Sequence, residues 1–148
     1  MLSIEYPAPD FMVKREKGRE LIFDRLRRRW LVLTPEEWVR QNFVQYLVQS
    51  LRYPPSLIAQ EKTIRLGELN KRFDILVYNK AHEPWMMVEC KAPSVVLDSQ
   101  VLQQLLRYHL AVPVGLLVIT NGHSAYGWEK KGHDLVLINT LPGWVGNV

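Results

Sequence analysis

Apolar residues recur along this chain with two different periods, and each change of period marks an element. Thr34-Pro35-Glu36-Glu37 has the make-up of a helix start. It offers a hydroxyl that can cap, a proline where no N–H is needed, and acids in the first turn. Behind it Val39, Phe43, Tyr46, Leu47 and Leu51 fall on one helical face, and the helix must stop before Pro54-Pro55. The same period returns from Ser99 to Leu110, with Val101, Leu102, Leu105, Leu106 and Leu110 apolar and Pro113 as the stop. Leu57 to Leu66 predicts a strand, followed by a turn near Gly67-Glu68-Leu69-Asn70. Val114 to Thr120 is apolar throughout, as in a central strand covered on both faces. Gly115 within it predicts close strand–helix packing. Asn121-Gly122 turns the chain, and Ala125 to Lys130 and Asp134 to Thr140 predict two weaker strands around Lys131-Gly132.

The N-terminal part is less regular. Proline interrupts Met1 to Phe11, so residues 1–13 read as an extended arm. Leu21, Ile22 and Leu26 stand at near-helical spacing with Phe23 alongside, which predicts a short basic helix within residues 14–30. The order of elements implies one α/β domain over residues 1–148, a mixed central sheet flanked by helices.

Two apolar segments break the pattern by carrying charge where a half-buried strand should carry none. They are Arg72-Phe-Asp-Ile-Leu-Val-Tyr78 and Trp85-Met-Met-Val-Glu-Cys-Lys91, joined by the polar loop Asn79 to Pro84. If Tyr78 faces Trp85, antiparallel register sets Asp74 opposite Glu89, and Lys91 points to the same side as Glu89. Two carboxylates so placed repel unless they share a cation, and a neighbouring ammonium can orient or deprotonate a water. Cys90, between Glu89 and Lys91, is expected on the opposite, apolar side as an inert thiol.

Composition narrows the classes. A chain of 148 residues that is 47% hydrophobic can bury the core of one domain. No apolar run approaches the ~20 residues of a membrane span, and no secretory signal is evident, so a cytoplasmic location is expected. One cysteine allows no internal disulfide. His82, His109, His123 and His133 show no zinc-ligand spacing. The net charge of +4 is concentrated: eight Lys or Arg against three acids between Lys14 and Trp30, closing on Arg27-Arg28-Arg29. Such a patch suits a polyphosphate backbone, although a solvated helix face has the same composition.

The charged hairpin resembles the core of the PD-(D/E)xK nuclease superfamily, an acid followed on the next strand by Glu-x-Lys. The likeness is greater to the N-terminal nuclease domain of type I restriction enzyme restriction subunits, in particular to short stand-alone homologues. It rests on Leu33 to Gln41, Lys71 to Tyr78, Val88 to Pro93, Gln104 to Tyr108 and Thr120 to Gly122, in the family's order, and covers roughly Leu21 to Trp128. Phe73 stands where the superfamily's name has proline. The resemblance implies a restriction-endonuclease-like three-layer core and Mg²⁺-dependent hydrolysis of nucleic acid, DNA first, with Mn²⁺ as a substitute. Asp74, Glu89 and the backbone carbonyl of Cys90 would hold the metal, and Lys91 would act on the water. Gln104 and Tyr108, four apart on one helix face, match a Gln-x-x-x-Tyr element bordering the active site, and Arg107 beside it is a candidate phosphate contact. An accessory acid from the preceding helix is expected. Projection at 100° per residue favours Glu36 over Glu37, with both also suited to the helix dipole. Arg27, Arg28 and Arg29 would grip the backbone.

A second reading keeps the fold without the chemistry. Restriction subunits couple this domain to an ATP-driven motor, and no Walker A sequence occurs here. The chain would then bind DNA or assemble with restriction-system partner chains. A homodimer also stays open.

Overall fold

The computed structural model describes residues 1–145. Its centre is a six-stranded mixed sheet in the order β4-β5-β6-β7-β8-β9. The strands are β4 (Ile58–Leu66), β5 (Leu69–Tyr78), β6 (Pro84–Cys90), β7 (Leu116–Thr120), β8 (Ala125–Lys131) and β9 (Asp134–Ile138). All neighbours are antiparallel except β6 and β7, which run parallel and are joined through helix α2 (Ser99–His109). A parallel pair cannot be closed by a tight turn, so the crossover helix lies on one face. Helix α1 (Pro35–Gln49) covers the other.

Each helix begins where its sequence asks. The Thr34 hydroxyl accepts the Glu37 N–H at 3.0 Å, and the Asp98 carboxylate accepts the Val101 N–H at 2.9 Å. Val39, Phe43, Tyr46 and Leu47 pack on Ile75, Val77, Met86, Val88, Leu116 and Val118. On the opposite face Leu102, Leu105 and Leu106 of α2 lie over Leu76, Met87, Leu117 and Ile119. All five residues of β7 are buried, the doubly covered strand that its unbroken apolar run predicts. Gly115 serves a different approach from the one expected: a Cβ there would lie 2.8 Å from the Trp85 ring, so its neighbour is a side chain of β6 and not a helix.

The basic helix expected within residues 14–30 does not form. This stretch is a three-stranded antiparallel sheet of β1 (Val13–Glu16), β2 (Arg19–Asp24) and β3 (Arg29–Val32). Lys17 and Gly18 both take positive φ, +52° and +76°, the pair that closes a two-residue hairpin with the strands' own twist. Beyond the turn the inward positions are Ile22 and Asp24, both fully buried, a period of two. The near-helical spacing fails because Leu26 lies in the turn between β2 and β3. The arm before it is extended and fastened: the Leu2 N–H donates to the Ala125 carbonyl at 2.8 Å, and Tyr6 meets Phe43 and Tyr46 edge-on.

Candidate active site

The register of the charged hairpin is the one its sequence implies. Ile75 pairs with Val88, Leu76 with Met87 and Val77 with Met86. A bulge at Tyr78 pairs it with Pro84 and not Trp85, but this irregularity lies at the loop end, away from the acids. One step inward from Ile75 and Val88 come Asp74 and Glu89. Asp74 Oδ2 accepts the backbone N–H of Cys90 at 2.7 Å. Lys91 lies just beyond β6, yet its N–H still donates to the Thr120 carbonyl at 2.8 Å, so the alternation continues and its ammonium stands 3.6 Å from Glu89 Oε1.

Asp74 and Glu89 open into a cleft of about 970 Å³ formed where α1, α2 and both sheets meet. Leu31 and Val32 wall it from β3, Glu36 and Arg40 from α1, and Glu61 and Arg72 from β4 and β5. Tyr108 and His109 close it from the end of α2. Its charge is dominated by acids. Burial, then the Glu89 carboxylate, push the Asp74 carboxyl up to about 6. Glu36 adds to that push, while the Cys90 N–H and Arg40, 3.9 Å from Oδ1, oppose it. Burial is the larger cause and the neighbouring carboxylate the second, so the ionised form of Asp74 is disfavoured here.

The accessory acids divide in a way the helical projection does not anticipate. Glu37 is buried and Glu36 exposed, the reverse of the projection. The reason is a second covered side of α1, where Asp24 of β2 in the small sheet and Gln60 and Glu61 of β4 at the edge of the large one meet Gln41 and Arg40, so Glu37, Arg40 and Gln41 become interior. There Glu37 is bound to Arg40 and accepts from Gln41 at 3.0 Å. Glu36 lines the cleft close enough to act on Asp74.

Other expected residues separate as clearly. Tyr108 borders the cleft and its ring lies 3.6 Å from the Lys71 ammonium, whereas Gln104 and Arg107 are exposed outside its lining. Arg27 is committed to structure: it pairs with the fully buried Asp24 at 2.6 Å and with Glu61 at 2.8 Å. Arg28 and Arg29 are exposed. Cys90 is buried, and desolvation pushes its thiol well up, in keeping with an inert side chain.

Three cleft residues escape the sequence reading. His109 is 3% exposed, with Nε2 3.5 Å from Glu89 Oε2 and its ring beside Phe73. Its signal was available, since position 109 continues the inward stripe of Leu102 and Leu105. Arg40 reaches Glu37, Glu61 and Asp74. Glu61 takes φ +51° in mid-strand, between the pairs Gln60–Ile75 and Lys62–Phe73, a conformation that costs a side-chain-bearing residue about 1–2 kcal/mol. Burial raises its carboxyl, but Arg27, Arg40 and Arg72 outweigh that and hold it low. Nothing in a β-strand pattern announces such a residue.

Among the described residues no three His, Cys, Asp or Glu side chains are gathered as a metal-binding group. The donors present are instead two carboxylates facing one cleft. That set fits a hard cation such as Mg²⁺, which keeps several waters and accepts one or two protein carboxylates plus substrate oxygens.

The α/β sheet thus carries two opposed acids and a lysine at one end. The family described as Type I restriction enzyme R protein N terminus (HSDR_N) matches residues 35–142, and the chain belongs to it. The match begins at α1 and takes in the charged hairpin, α2 and the strands after it. A search of curated proteins found no match. No helix among the described residues is long and apolar enough to cross a membrane.

Proposed function

We propose that this chain hydrolyses phosphodiester bonds of nucleic acid, DNA first, in a reaction dependent on Mg²⁺ or Mn²⁺. The observation that supports it most is geometric: Asp74 and Glu89 stand side by side on paired strands in an open cleft, with the Lys91 ammonium next to Glu89. Such a pair is costly without a cation and useful with one. Asp74, Glu89 and the Cys90 carbonyl would hold the ion, which when bound would offset charge on the scissile phosphate. Lys91, 3.6 Å from Glu89, would orient the attacking water and take its proton. Glu36 adds negative charge at the rim, and Tyr108 offers a hydroxyl to the substrate backbone. Exposed Arg28 and Arg29 supply attraction that is independent of sequence. Family membership extends the proposal to restriction-system partner chains.

The test is incubation of the purified chain with circular and linear DNA, single- and double-stranded, in Mg²⁺, Mn²⁺ or EDTA. Cleavage in either metal that EDTA and Asp74→Asn both abolish is expected. Metal-independent binding without cleavage would leave the partner-dependent, catalytically silent module as the function.

A further inference from the structure

Four guanidinium groups surround the Glu61 carboxylate. Arg27 lies at 2.8 Å, Arg40 at 3.2 Å, Arg72 at 3.2 Å and Arg29 at 4.0 Å. They do not have the same standing. Arg27 is 18% exposed and pairs independently with Asp24, and Arg40 is 8% exposed and pairs independently with Glu37. Both would stay in place without Glu61. Arg29 and Arg72 are 57% and 64% exposed, and Glu61 is the acid each one meets among the described residues. They come from different sheets, Arg29 from β3 and Arg72 from β5, and converge on Glu61, which lines the cleft together with Arg72. A carboxylate shared by two mobile, solvent-facing guanidiniums is an exchangeable partner, because exposed pairs of this kind contribute little. A phosphate oxygen offers the same acceptor with better matched bidentate geometry.

We infer that Arg29 and Arg72 form a two-armed clamp for a backbone phosphate of the nucleic acid, and that Glu61 holds their place until that phosphate arrives. This inference rests on the nucleic-acid reading proposed above. Position along the strand gives the clamp its register. Arg72 and Asp74 are two residues apart on β5 and both line the cleft, a separation of about 6.6–6.8 Å along the strand. That is comparable with the step between neighbouring phosphates of a nucleic-acid chain. A phosphate on Arg72 would therefore set the next one against Asp74 and Glu89. Glu61 stands between the register pairs Gln60–Ile75 and Lys62–Phe73, level with Asp74, and both line the cleft.

The experiment measures binding of a short fluorescently labelled DNA duplex, and of its single strand, in EDTA at several salt concentrations. Wild type is compared with Glu61→Gln, the double variant Arg29→Gln/Arg72→Gln, and Lys80→Gln, which removes a charge from the far loop of the hairpin. Thermal melts accompany each. The arginine pair should weaken binding about tenfold at low salt and flatten the log–log salt dependence by up to about two contacts' worth. Glu61→Gln should tighten binding severalfold, and Lys80→Gln should change it little. Because both arginine side chains are more than half exposed, their variant tests the clamp even if Glu61→Gln folds poorly. If wild type binds and the arginine pair behaves like Lys80→Gln, the clamp is overturned while the nuclease reading stands. If wild type binds neither DNA at low salt, the nucleic-acid reading falls and the clamp with it.

Discussion

Asp74 accepts the backbone N–H of Cys90 at 2.7 Å across the β5–β6 pair, which fixes one carboxylate of the cleft beside the strand that carries the other. That hydrogen bond favours the ionised form, yet burial and the Glu89 charge still leave the Asp74 carboxyl at about 6. The sum makes Asp74 a point where stability depends on pH, and the acid at which the proposed metal would be felt.

In the absence of metal, Asp74 titrates in the folded protein above its ordinary 3.8. A carboxyl raised by folding favours the native state while protonated. Its contribution is therefore full below about pH 4 and is lost as pH rises through about 6. The shift of about two units corresponds to about 2–3 kcal/mol. In EDTA, Asp74→Asn should melt above wild type at pH 8, and the difference should vanish near pH 4. Melting curves over that range check it.

The same site gives the sign of metal linkage. A divalent ion that binds the native state offsets the repulsion between Asp74 and Glu89, so millimolar Mg²⁺ or Mn²⁺ should raise the melting temperature of wild type. The rise should be larger at pH 8 than at pH 5, and strongly reduced in Asp74→Asn. An equal rise in the variant would place the ion elsewhere.

Arg27 and Arg28 are neighbours in sequence and opposites in role. Arg27→Gln removes the guanidinium from fully buried Asp24 and should destabilise the fold by about 2–3 kcal/mol. Arg28→Gln, on an exposed turn residue, should fall within about 0.5 kcal/mol of wild type. Denaturant titrations of the two variants measure the contrast.

Gly115→Ala tests the packing of β6 against the strand that follows the crossover. The added Cβ would sit 2.8 Å from Cζ3 and 3.0 Å from Cε3 of Trp85, whose indole N–H donates to the Tyr53 hydroxyl at 3.2 Å. Moving that ring also strains its hydrogen bond, so a loss of about 1–3 kcal/mol is expected by thermal melting.

What the sequence makes legible follows from where local pattern and tertiary burial agree. Thr34-Pro35 starts α1 and the unbroken run Leu116–Thr120 lies in mid-sheet, because capping chemistry and two-sided burial leave direct marks. The register of the charged hairpin was readable from one turn and the alternation on either side of it, which is why Asp74, Glu89 and Lys91 converge as expected. The three-stranded sheet was not. Its short strands carry Lys, Arg and Glu on the exposed face, and Lys17-Gly18 is a less obvious hairpin signal than Asn-Gly. Mistaking it for a helix hid the second covered side of α1, and with it the burial of Glu37 and Arg40. Glu61, at positive φ among four arginines, has no local signature.

The central claim is that Lys91 acts on the attacking water while Asp74 and Glu89 hold the ion that the phosphate meets. Lys91→Ala, assayed beside wild type for both DNA binding and Mg²⁺-dependent cleavage, tests it most directly. The account predicts binding within about threefold of wild type and loss of cleavage by at least about a hundredfold, because the ammonium acts at the chemical step. Cleavage by Lys91→Ala at the wild-type rate would contradict it.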